Sequence, residues 1–209
     1  MPFLNAFLHK GGKFLDLLEG FAKEIVLTSE DFESFMEAPS TSRHLELLKI
    51  HDLNEKVLIR KMETALLRTY LTELERQDIL LLTEVMIRIP KTICLLAKHV
   101  ITAGIHAQSI NLSKQIVYIN NSSEIIHSMI NQLKDPHSIQ RMRNLYRKII
   151  RYYDRAEDDR VLLFQDLYSG QVSPIQAIAL SQTYELSRII HERIYSAALQ
   201  IMYVAMKNY

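Results

Sequence analysis

The chain has 209 residues, 48% of them hydrophobic, enough for one large domain with a packed core and too apolar for a disordered segment. Lys and Arg total 25 against 24 for Asp and Glu, which removes the net attraction that non-specific nucleic-acid binding depends on. Five Gly, five Pro and a single Cys leave too few turn residues for a sheet-rich fold and no means of building a disulfide or a thiolate metal cluster.

Long helices need few turns, and apolar spacing locates six. Phe14, Leu17, Leu18, Phe21 and Ile25 recur three and four apart and predict a first helix over 14–26. The N-terminus, MPFLNAFLHKGGKFLDLLEGF, has no basic region before its apolar residues and no small-residue cleavage site, so it does not read as a secretory signal. Pro39 and the hydroxyl run after it predict a restart near Ser42, with a second helix to about Thr69. Leu45, Leu48, Val57, Met62, Leu66 and Tyr70 are assigned to its buried face, with Glu46, Lys49, Glu55, Arg60 and Glu63 mostly outside. Thr72 and Glu75 have capping-box spacing for a third helix reaching about residue 108, in which Pro90 predicts a kink or break near Arg88.

Residues 111–133 read as a fourth helix despite the polar Asn120-Asn121-Ser122-Ser123 interior. Asp135-Pro136 ends it, and a fifth runs over about 137–168. Ser173 as N-cap and Pro174 at the first helical position then start a sixth that reaches nearly to Tyr209. The fold class is all-α. Setting 50–67 against 150–167 shows similar lengths, each ending in a turn, which predicts one helical domain of two three-helix pseudo-repeats, about 1–108 and 109–209.

The residues offer little catalytic chemistry. Cys94 sits in the apolar run ICLLA and reads as an inert buried thiol. His44, His51, His99, His106, His127 and His137 form no HExxH pair and have no nearby Ser or Cys in a recognisable nucleophile setting, so they read as surface or packing residues. No glycine-rich phosphate loop occurs. No apolar run approaches the roughly 20 residues that span a bilayer, which predicts a cytoplasmic protein that meets a membrane only through a partner or an amphipathic face. Tyr195, Met202, Tyr203, Met206 and Tyr209, three to four apart, are assigned to the core, with homodimerisation as their use if they form an interface.

Two stretches carry a family resemblance. TYLTELERQDI, residues 69–79, is similar to the helix junction TFITPFDREDI of PhoU-like accessory proteins of Pit-type inorganic phosphate transporters, matching or nearly matching at Thr69, Tyr70, Leu71, Thr72, Arg76, Asp78 and Ile79. The run from Tyr184 to Asn208 resembles that family's last helix. The resemblance implies a six-helix bundle that regulates phosphate transport without catalysis by docking to a permease or a related membrane transport protein. It also implies Glu/Asp-x-x-x-Asp metal motifs, which this chain keeps unevenly. The first-half positions fall on Asn54, Leu58, Ile87 and Arg88, which cannot serve as a carboxylate set. In the second half Asp154, Asp158 and Glu192 remain, with His191 beside Glu192, while the family's following acids fall on Tyr195 and Ser196.

Three carboxylates with water could hold one hard cation, and iron, zinc or manganese is the metal the resemblance allows. A carboxylate-site metal-binding protein, for storage or sensing, is thus the alternative function. No other cofactor is expected. The alternating signs of RYYDRAEDDR read more readily as a solvated face of ion pairs, such as Asp154 with Arg151 or Arg155 with Asp159.

Overall fold

A computed structural model describes residues 12–37, 41–104, 111–135, 137–169 and 172–208, with the side chains of 41–45 left aside. Six helices make up the fold: α1 (Lys13–Glu37), α2 (Thr41–Arg68), α3 (Arg76–Thr102), α4 (Ser113–Gln132), α5 (Ile139–Leu167) and α6 (Pro174–Asn208). No strand occurs among the described residues, so the all-α expectation holds. His106, Pro136, Gly170 and Tyr209 lie outside the described residues, as do 105–110.

Four helices build the centre. α1 packs on α3 and α4, α6 packs on α3 and α4, and α2 and α5 flank them, α2 against α1 and α3 and α5 against α4 and α6. Phe14, Leu18, Ile25, Leu82, Met86, Ile93, Ile126, Ile190 and Ile201 are among the fully enclosed side chains of one continuous core. α3 and α6 run antiparallel. Lys207 near the end of α6 reaches Glu75 (2.5 Å) and Asp78 (3.3 Å) at the start of α3, and His99 near the end of α3 lies 3.1 Å from the Ala179 carbonyl.

The helix ends depart from the sequence expectation in instructive ways. α3 starts at Arg76 with Glu75 at the N-cap, and no side chain caps it. The Thr72 hydroxyl donates instead to the Leu74 carbonyl (2.6 Å), because the junction turns tightly there and Glu75 is held by Lys207. Arg76 replaces the expected box: its guanidinium donates to the carbonyls of Leu66 (2.7 Å) and Thr69 (2.9 Å), closing the end of α2. At α6 the capping box does form. The Gln176 amide and the Ser173 hydroxyl lie 3.4 Å apart, and the Gln176 side-chain oxygen accepts from the Ser173 amide (3.2 Å).

α3 runs through Pro90 as one helix, without the break that proline suggests. The missing backbone donor is offset by packing, since Ile89 and Ile93 on either side are fully buried. It also stops at Thr102 rather than near 108, where Gly104 adopts φ 63, a left-handed conformation that ends a helix and suits glycine. The polar interior of α4 stays helical because Ser122 and Ser123 are buried and small, and the Ser123 hydroxyl donates to the Ile119 carbonyl (2.8 Å).

On α2, Leu48, Met62 and Leu66 are buried as expected, but Val57 is half exposed and Tyr70, beyond the helix, almost wholly so. Glu55, assigned outside, is 4% exposed and pairs with Lys91 of α3 (2.8 Å). The reason is the stripe α2 uses. His51, Glu55, Met62 and Leu66 lie along one side of the helix, and at 100° per residue Val57 falls on the other. The terminal stripe divides too: Met202 is buried and Tyr195 half-buried, while Tyr203 and Met206 are exposed because they fall on the outer side of α6.

Candidate functional site

The second-half acids come from two facing helices, α5 and α6. Asp154 and Asp158 are exposed one turn apart on α5, and Glu192 is exposed on α6, where it accepts from Arg188 (3.0 Å). Among the described residues no group of three His, Cys, Asp or Glu side chains is placed to hold a metal ion.

Tyrosines fill the seam beside them. Tyr195, which stands where the resemblance expects an acid, lies 5.1 Å from the Tyr153 ring and 6.2 Å from the Tyr146 ring, centroid to centroid. The Tyr146 and Tyr195 hydroxyls are 3.3 Å apart. Burial first, then the contact with Tyr195, pushes the Tyr146 hydroxyl well above the usual phenol range. Such rings pack an interhelical seam.

One turn further along, the charges form a ladder across α5 and α6: Arg160 to Glu157 (2.7 Å) and Glu185 (3.4 Å), then Arg188 to Glu185 (2.8 Å) and Glu192. The solvated ion-pair face is thus present with other partners than Arg151 and Arg155. Asp159 turns to α4 and accepts from Lys114 (2.8 Å) and the Tyr118 hydroxyl (2.9 Å). These contacts hold its carboxyl below the usual range.

At the first-half positions the expected acids are replaced by an amide, two apolar side chains and one basic one, Asn54, Leu58, Ile87 and Arg88. Arg88 pairs with Glu84 on its own helix, and Arg193 of α6 crosses to the Arg88 carbonyl (2.8 Å) and the Thr92 hydroxyl. Asn54 donates to Glu24 Oε2 (3.3 Å).

The most concentrated polar cluster lies between α1 and α2 and centres on His51. Its Nδ1 is 2.6 Å from Glu24 Oε1 and its Nε2 is 2.8 Å from Asp31 Oδ2, so both ring nitrogens face carboxylates. The Thr28 hydroxyl donates to the Glu24 carbonyl (2.7 Å) and turns its oxygen toward Nδ1 (3.2 Å). Burial opposes charge on the ring, but the two carboxylate hydrogen bonds outweigh it and raise the pKa above the ordinary imidazole value. When the ring is protonated both nitrogens donate to these carboxylates, and neither has a lone pair for a metal or for base catalysis. Its role is to hold α1 against α2. Sequence spacing missed the cluster because its members are 20 and 27 residues apart on different helices.

A second buried histidine among the described residues is its opposite. His191 on α6 is 3% exposed, its Nε2 has no partner among the described residues, and burial pushes its pKa down to about 4. It is a neutral core residue. Burial likewise pushes the Cys94 thiol up to about 12, as the inert reading expects.

The junction that carries the resemblance is turned outward. Leu67, Tyr70 and Leu71 are 86, 95 and 83% exposed at the apex between α2 and α3. Three large apolar side chains are thus left in water at one turn, outside the core. No helix among the described residues is long and apolar enough to cross a membrane.

No family model matches the sequence, and no curated protein matches it. Solved structures do. A protein from Shewanella oneidensis MR-1 described as a PhoU-like phosphate regulatory protein superposes with a TM-score of 0.74 at 17% identity, over 93% of this chain and 100% of that one. A PhoU-like protein from the same organism gives 0.75 at 18% identity, with the same coverage. At that identity the likeness establishes the fold: six helices arranged as in PhoU-like proteins.

Proposed function

We propose that this protein is a non-enzymatic regulator of inorganic phosphate transport that acts at the cytoplasmic face of the membrane by docking to a Pit-type permease. The observation that carries the reading is the α2–α3 junction. The stretch that resembles the family stands at an apex of a fold shared along nearly its whole length with PhoU-like proteins, and it presents Tyr70 and Leu71 to solvent beside Leu67 at the end of α2. Tyrosine buried at the centre of an interface is among the side chains that dominate binding. Arg76 and the Lys207 pairs with Glu75 and Asp78 brace the turn from behind, so the apex is presented on a rigid base.

A regulator of this kind shifts a transporter only if it binds one of its states better than the other. Phosphate uptake and permease co-purification in a deletion strain test the reading. The wild-type gene is expected to restore normal uptake and to co-purify the permease, and a Tyr70→Ser/Leu71→Ser variant of unchanged helix content to do neither. Unaltered uptake on deletion, with no permease recovered, would overturn it.

A further inference from the structure

A cleft of about 810 Å³ lies open between α1 and the second half of α2. Four cations line it: Lys13 at the start of α1, and Arg60, Lys61 and Arg68 on α2. All four are exposed, and among the described residues none of them has an ion-pair partner. The one acid in the lining, Asp16, is engaged by Lys134 (2.8 Å), which also binds Glu19 (2.6 Å). The floor is apolar, formed by Leu17, Val57 and Ala65. In a chain with formal net charge +1, four unneutralised cations around one concavity are a local concentration of charge, and a low-dielectric wall strengthens their field.

We infer that this cleft binds an anion carrying several phosphoryl groups. The spread of the cations decides the class of ligand. Arg60 and Arg68 are eight residues apart, about 12 Å along the helix axis. A single phosphate covers only part of that spread, and in solvent each exposed ion pair contributes little. A ligand with three or more phosphoryl groups engages them together, each contact raising the effective concentration of the next. The arginine forks suit two oxygens of one phosphoryl group, and the lysines act as point charges. The inference rests on the cleft alone and is independent of permease docking. The same chemistry is offered by a free polyphosphate-type anion and by a surface of anionic phospholipid headgroups.

Calorimetric titration of the purified protein with inorganic tripolyphosphate and with orthophosphate tests it, together with co-sedimentation on vesicles of phosphatidylglycerol and phosphatidylcholine. Tripolyphosphate is expected to bind at least about tenfold more tightly than orthophosphate, with affinity falling as salt rises. Arg60→Gln/Lys61→Gln is expected to weaken it about tenfold at unchanged helix content, whereas Arg143→Gln/Arg147→Gln, the same loss of charge on α5, leaves it within about twofold. Co-sedimentation that tripolyphosphate displaces and the cleft variant abolishes assigns the site to a lipid surface; tripolyphosphate binding without co-sedimentation assigns it to a free anion. Absence of binding to both probes, orthophosphate binding as tightly as tripolyphosphate, or equal losses in the two double variants would overturn the inference.

Discussion

His191 ties stability to pH in a way that can be worked out in advance. In the folded protein its pKa is about 4, against about 6.5 for an unperturbed imidazole, so between those values the unfolded chain binds the proton and the folded one does not. The contribution to stability is therefore intact above pH 6.5, is lost progressively as pH falls, and stops changing below 4. Two and a half units at about 1.36 kcal/mol each amount to roughly 3 kcal/mol in all, of which about 2 kcal/mol is already lost at pH 5. His191→Leu removes the titrating ring together with its unpartnered Nε2, and replacing a buried orphan by an apolar group costs little. At pH 7 the variant is expected within about 1.5 kcal/mol of the wild type. Urea unfolding followed by circular dichroism at pH 7 and pH 5 measures the difference. On going from pH 7 to 5 the wild-type midpoint should fall relative to that of the variant by about 1 M, taking a slope of about 2 kcal/mol per molar urea. Parallel pH profiles for the two proteins would show that His191 is not held neutral in the core, and the reasoning would fail.

Three further outcomes are expected. His51 behaves in the opposite sense: its raised pKa means that its clamp on Glu24 and Asp31 is fully present below about pH 6.5 and is lost as pH rises through the folded value, which an NMR titration of the ring resonances should place above 6.5. His51→Leu leaves Glu24 buried without its cation and should cost about 3 kcal/mol at pH 6, read from the unfolding midpoint. Arg76→Ala, which uncaps the Leu66 and Thr69 carbonyls, should cost about 1–2 kcal/mol, and Arg76→Lys should recover less than half of that because one ammonium cannot reproduce the fork. Cys94 should resist a thiol-specific disulfide reagent in the native protein and react at once in denaturant, whereas rapid native labelling would contradict its burial.

The tyrosine seam and the His51 cluster bear on the same question, how this bundle holds its long helices together. At or beside the positions where the family resemblance expects acids, this chain has neutral or basic side chains that pack or cross-link: Tyr195 against Tyr146 and Tyr153, Arg193 onto the carbonyl of Arg88, Asn54 onto Glu24. Each of these joins two helices directly.

Helix number and order, and the Ser173 and Pro174 start of α6, were legible in the amino-acid sequence because periodicity and capping are local: neighbours three and four residues apart meet on one face whatever else the chain does. The inert Cys94 was legible for the same reason, from its apolar neighbours. Which side of α2 faces inward was not. Its inner stripe carries His51 and Glu55, which burial penalises unless partners exist, and those partners, Glu24, Asp31 and Lys91, sit on other helices. The same holds for Arg76, whose value as a cap depends on the path of the turn, and for Lys13, Arg60, Lys61 and Arg68, which one cleft gathers from two helices. Local rules set where helices begin and end. Only the packed bundle decides which charged side chains are neutralised and which are left facing solvent, because that depends on distances between residues far apart in the chain.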